Sequence, residues 1–175
     1  MKSIIIIGYM GAGKTTVGKA LAKDLGVMFY DLDWYIESRM RKTVKQIFDE
    51  VGEEGFRKIE HNMLHEVAEF ENVVVSCGGG TPCFFDNMDY MNGHGQTVFL
   101  DVHPDILFNR LRVATHQRPI LQGKTDEELR AFIVDALDKR APFYLQARYR
   151  FDAGRLESRR QIAESVQQLR NLLDI

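Results

Sequence analysis

The stretch Gly8-Tyr9-Met10-Gly11-Ala12-Gly13-Lys14-Thr15 constrains this chain more than any other. Glycine, four residues, glycine, lysine and then threonine is the phosphate-loop pattern, and it has a meaning only between a strand and a helix. Both flanks are present. Ser3 to Ile7 is a β-branched apolar run that reads as a buried strand. Lys14 to Leu25 carries Val17, Ala20, Leu21 and Leu25 at helical spacing, and Gly26 stands where a C-cap glycine belongs. In such a loop the backbone amides of Gly11, Ala12, Gly13, Lys14, Thr15 and Thr16 turn inward towards phosphate oxygens, and the helix start adds its positive dipole end. Lys14 supplies a point charge for the β and γ phosphates of a nucleotide such as ATP. The Thr15 hydroxyl is a ligand for Mg²⁺. GTPases, motor ATPases and small-molecule kinases share the pattern, so it does not name the reaction.

The rest of the chain repeats the alternation. Val27 to Asp31, Asn72 to Ser76, Gln96 to Val102 and Tyr149 to Asp152 read as strands. Thr43-Val-Lys-Gln46, Thr125-Asp-Glu-Glu128 and Ser158-Arg-Arg-Gln161 open three further helices with a capping-box pattern. Strands alternating with helices predict an α/β fold, a parallel sheet covered on both faces. Its ligands bind beyond the carboxyl ends of the strands. A length of 175 residues with no linker favours one domain. A net charge of −2 gives no global attraction to nucleic acid or membrane. The apolar run at the amino terminus is too short for a signal peptide or a span, so a cytoplasmic location is expected. Cys77 and Cys83 are expected as small, buried or half-buried thiols.

The residues that follow each strand are the candidates for chemistry. Asp31 and Asp33 close the second strand, where they face one way if the strand continues. One can support the metal's water shell and the other can accept a hydroxyl proton, or one can cap a helix. Gly78-Gly79-Gly80 after the third strand strips side chains from the backbone, which lets a ligand approach or simply makes a turn. Arg57, Arg118 and Arg140 are planar forks suited to carboxylates and phosphates, although each taken singly reads as a solvated surface residue. His61 and His65, four apart on a helix, lack the glutamate of the zinc-protease pattern and read as surface residues.

Taken in order, GYMGAGKTT, DLD, GFRKIE, CGGG, FLDV, RPIL and RAPFY resemble the shikimate kinase family along nearly the whole chain. The resemblance implies a nucleoside-monophosphate-kinase-like fold, a three-layer sandwich with a five-stranded parallel sheet. It implies transfer of a phosphoryl group from ATP, with Mg²⁺, to the 3-hydroxyl of shikimate on the route to chorismate and aromatic amino acids. By the same resemblance Asp33 is the general base and touches substrate hydroxyls, and Asp31 supports the metal with Thr15. Arg57 and Arg140 bind the substrate carboxylate, and Gly78 to Gly80 line its pocket, with a substrate-binding region over residues 33–60. Arg118 closes over the phosphates within a lid at residues 113–124. Adenine packs against Arg110 or Arg112, with its loop near Asp152 to Arg155. A monomer is expected. A gluconate kinase remains the alternative, since its substrate is also a hydroxy acid. A guanine-nucleotide switch would need an Asn-Lys-x-Asp motif, which this sequence lacks.

Overall fold

The computed structural model describes residues 1–114 and 121–175. Its centre is β1 (Ser3–Ile7), whose four isoleucines are all buried. β1 pairs in parallel with β3 (Val73–Ser76) on one side and β4 (Gly95–Asp101) on the other. β2 (Met28–Asp31) pairs with β3 and β5 (Tyr149–Asp152) with β4, giving a five-stranded parallel sheet in the order β2-β3-β1-β4-β5. β1 and β3 are buried along their whole lengths, as strands covered on both faces must be.

The strand order dictates which helix covers which face. Right-handed crossovers that step in opposite directions across a sheet place their helices on opposite sides. The step from β1 to β2 carries α1 (Lys14–Leu25), which packs with the closing helix α7 (Arg159–Leu173). The steps from β2 to β3, β3 to β4 and β4 to β5 all run the other way. They carry α2 (Leu32–Met40) with α3 (Val44–Ala68), then α4 (Asn87–His94), then α5 (Pro104–Val113) with α6 (Asp126–Tyr144). One continuous cluster of buried side chains runs from Ile4 to Leu173. No helix among the described residues is long and apolar enough to cross a membrane.

Helix ends follow the expected chemistry with one exception. Gly26 caps α1 in the left-handed region. Thr43 and Thr125 form reciprocal capping boxes with Gln46 and Glu128. Ser158 accepts from the Gln161 amide, but the Gln161 side chain accepts instead from the Glu157 amide at 2.8 Å, so this box is half formed. Strand starts also shift. The Val27 amide still donates to Ala22 of α1, and Asn72 sits at φ 54°, so β2 and β3 each begin one residue later than expected. β4 starts and ends one residue earlier than the apolar run suggests.

The largest departure inside an element lies in α3. Gly52 stands at φ 70° and ψ −178°, a conformation open essentially to glycine alone, and it bends the helix before Arg57 and Glu60. A Cβ on Gly52 would touch nothing within 4 Å. The cost of Gly52→Ala is therefore backbone strain, on the order of 1–3 kcal/mol. Urea denaturation should show the midpoint fall with the slope unchanged; an unaltered midpoint would mean that the bend is not fixed in solution.

Candidate active site

Four strands end along one edge of the sheet at a polar cleft of about 540 Å³. The phosphate loop forms its floor. Gly13 sits at φ 94°, a conformation that calls for glycine, and a Cβ there would stand 2.4 Å from the end of the Leu156 side chain and push it aside. Lys14 reaches back over the loop and donates to the carbonyls of Gly8 and Tyr9 at 2.8 and 2.9 Å. Gly11, Gly13, Lys14, Thr15 and Thr16 all line the cleft, and Ala12 is buried beneath them.

The two aspartates come together through a helix rather than an extended strand. β2 ends at Asp31 and α2 begins at Leu32, so Asp33 lies in the first helical turn. Asp31 divides its oxygens. Oδ1 accepts from the Trp34 amide as helix cap, and Oδ2 accepts from the Thr15 hydroxyl at 3.2 Å. Capping and metal support are thus compatible in one carboxylate. A hydroxyl and a carboxylate oxygen side by side form a hard-oxygen donor pair that suits Mg²⁺, the cation that the phosphate loop implies.

Asp33 is half-buried. Burial first, then the charges of Asp31 and Glu60, push its carboxyl up to about 6, while Lys14 pulls the other way. Glu60 is 1% exposed and comes from α3, one turn after Arg57. It accepts from Arg57 Nη1 at 2.9 Å and from the Thr81 hydroxyl at 2.9 Å. Arg57 is also stacked over Phe84, with its Cζ 4.2 Å from the ring centroid. Its Nε is buried and has no hydrogen-bond partner.

Gly78 to Gly80 are glycines for a reason different from turning the chain. None has a positive φ. A Cβ on Gly80 would lie 2.6 Å from Arg57 Nη2, one on Gly79 would lie 2.9 Å from Arg140 Nη1, and one on Gly78 would lie 3.4 Å from Asp33 Oδ1. Gly79 and Gly80 leave the space in which two guanidinium groups reach the backbone, whereas at Gly78 the tightest neighbour would be the Thr81 hydroxyl at 3.2 Å. The Tyr144 hydroxyl donates to the Gly79 carbonyl at 2.6 Å, and the nearby Arg140 charge acts against the burial that pushes this hydroxyl's pKa up. Arg140 also lies over Tyr9, 5.3 Å from the ring centroid.

At the other end of the cleft Arg110 donates to the Gly11 carbonyl at 3.1 Å and to Ala153 at 2.8 Å, and pairs with Glu157. Arg112 points away, exposed, towards Asp126 at 3.8 Å. Leu156 and Glu157 line the cleft. Arg155, expected near adenine, is exposed and borders a separate depression with Gln161 and Glu164, because its carbonyl holds Ser165 of α7. Of the expected lid, Val113 is the last residue of α5 and Leu121 is fully buried. Arg118 lies outside the described residues. Cys77 is buried and Cys83 half-buried, both free, with burial pushing both thiols up.

Sequence reasoning passed over Glu60, Thr81 and Tyr144. Glu60 had a signal, since it follows Arg57 by three residues on one helix face. Thr81 and Tyr144 had none, because both act through contacts with distant segments.

The raised carboxyl of Asp33 makes a prediction about stability. Between its ordinary 3.8 and about 6, the folded protein holds more protons than the unfolded chain, so this group makes folding less favourable as pH rises through that window. Asp33→Asn should stabilise the fold at pH 7 by about 3 kcal/mol, with the gain nearly gone at pH 4. Denaturation of both proteins at the two pH values checks this. A less stable variant at pH 7 would mean that Lys14, not burial, dominates the aspartate's surroundings.

Comparison with known proteins places the chain in a family. The sequence profile of the family described as shikimate kinase matches residues 10–170. A shikimate kinase of Bacteroides thetaiotaomicron is 65% identical over 175 residues, covering all of both chains. A crystal structure of shikimate kinase from Bacteroides thetaiotaomicron superposes with a TM-score of 0.96 at 65% identity, over 99% of each chain. Shikimate kinase from Acinetobacter baumannii in complex with shikimate gives 0.84 at 31% identity, over 99% of this chain and 94% of that one. This chain belongs to the shikimate kinase family.

Proposed function

We propose that the protein transfers the terminal phosphoryl group of ATP to the 3-hydroxyl of shikimate, on the route to chorismate and aromatic amino acids. One arrangement carries the reading: Asp33 stands in the cleft with Lys14 of the phosphate loop, next to a glycine run against which Arg57 and Arg140 rest. A substrate with a carboxylate at one end and hydroxyls at the other needs cations and an acceptor in that order.

The roles follow from chemistry. The amides of Gly11 to Thr16 and the Lys14 ammonium hold the phosphates. Thr15 and Asp31 would hold Mg²⁺, which supplies charge neutralisation on the phosphate oxygens. Arg57 and Arg140 grip the carboxylate, and the buried Nε of Arg57 supplies a donor that an anion would satisfy. Gly78 to Gly80 leave room for the ring. A carboxyl near 6 is mostly ionised at pH 7, so Asp33 can take the hydroxyl proton as the oxygen attacks. The bond from that oxygen to the γ-phosphorus forms, the bond from the same phosphorus to the ADP oxygen breaks, and the proton leaves with Asp33. Arg110 flanks the adenine end, where it already bridges the phosphate loop and the 153–157 loop. Arg118, with the 113–124 lid, closes over the phosphates. On this reading the protein is a cytoplasmic monomer with no nucleic-acid or membrane partner, in keeping with a net charge of −2.

A coupled ADP-release assay with ATP and Mg²⁺ tests the reading directly. Release should depend on shikimate and not on gluconate; dependence on gluconate alone would transfer the protein to the other hydroxy-acid kinase. Arg140→Ala should raise KM for shikimate by about tenfold or more and leave KM for ATP nearly unchanged, since removing one partner of a charge-assisted pair costs about 1.5–3 kcal/mol. Equal effects on both substrates would refute a carboxylate role.

A further inference from the structure

Outside the cleft, two imidazoles and a carboxylate converge where α3 meets the start of α4. His61 and His65 stand one turn apart on α3, with ring centroids 4.2 Å apart. Asp86, in the residue that precedes α4, faces them, with its Oδ1 3.7 Å from His61 Nδ1. One ring nitrogen of each histidine and one oxygen of Asp86 lie within 4.8 Å of one another.

The surroundings prepare these rings as ligands. Asn87 donates its side-chain amide to the Thr81 carbonyl at 2.8 Å, so its Oδ1 is left as the acceptor that faces His61 Nδ1 at 2.7 Å. That contact makes Nδ1 the protonated nitrogen and leaves the lone pair on Nε2. Metal-binding histidines are commonly oriented in this way through their second nitrogen. His65 is stacked on Tyr90 at 3.4 Å, and its Nε2 is shielded from solvent with no hydrogen-bond partner.

We propose that His61, His65 and Asp86 form a site for a divalent transition cation that ties α3 to the start of α4. Imidazole nitrogen with one carboxylate selects borderline cations such as Zn²⁺, Co²⁺ or Ni²⁺ over Mg²⁺. Metal–ligand bonds of about 2.0–2.1 Å require donors about 3.4 Å apart, so the cluster has to contract by about 1 Å. Asp86 is exposed on its side chain and lies beside Nδ1 of His61, so it joins the site by swinging towards the Nε2 edge of that ring. Asn87, Thr81 and Glu60 then link the site to Arg57 through successive hydrogen bonds.

The test is a Co²⁺ titration of the tag-free full chain, stripped with EDTA and free of nucleotide, followed by visible absorption. One equivalent per chain should develop a d–d band and raise Tm, and Zn²⁺ should bleach the band by displacement. His65→Gln and Asp86→Asn should each lose the band while far-UV circular dichroism stays unchanged. Should His65→Gln fail to fold, Asp86→Asn, a change to an exposed side chain, carries the test alone. No band at stoichiometric Co²⁺, or a band that survives either folded variant, would overturn the site.

Discussion

The site depends on a charge that has been taken out of water. Glu60 is almost wholly buried, and such a carboxylate persists only if its oxygens are satisfied. Arg57 and Thr81 satisfy them, and in doing so they join α3 to the turn that follows β3. The same charge helps to raise the Asp33 carboxyl from across the cleft. One ion pair therefore positions Arg57, ties α3 to the residue that ends the glycine run and raises the Asp33 carboxyl. Removal of Glu60 would leave the half-buried Arg57 with only the exposed Glu53 carboxylate, 3.6 Å away, as counter-charge, close to the costly case for a buried pair.

The clustering of Asp31, Asp33 and Glu60 runs against stability. Three carboxylates in this region repel one another, and among the described residues Lys14 acts against that effect at Asp33. A folded core built on β1 and β3 tolerates the repulsion, since these strands are buried on both faces and hold the strand ends in fixed register. The rigid sheet edge and the strained pocket are complementary: the first keeps the second from relaxing.

What was legible in the sequence was local. The phosphate loop, its flanking strand and helix, and the Thr43 and Thr125 caps are each set by residues within a few positions of one another. The parallel sheet followed from the alternation of these pieces, and the candidates Asp31, Asp33, Arg57 and Arg140 all stand at its carboxyl edge. Local pattern failed where a residue had a choice of partners. Gln161 turns to Glu157 rather than to its cap, and Arg110 rather than Arg112 faces the phosphate loop because only it meets the carbonyl of Ala153, 43 residues on. His61 and His65 read as surface residues because their partners, Asn87 and Tyr90, belong to another helix. A pair across such a span leaves no periodicity to read.

The glycine run has a consequence for how such a chain can change over generations. Gly79 and Gly80 are held to hydrogen side chains not by backbone angle but by the guanidinium groups of Arg140 and Arg57, less than 3 Å from where a methyl group would stand. The two arginines come from helices on either side of the run in sequence, yet each shares its fate with one glycine. A methyl group at either glycine requires its arginine head to shift, shorten or go, and an arginine restored opposite an alanine has to settle in a different position. The four positions form two coupled pairs, in which a change at one member displaces the other.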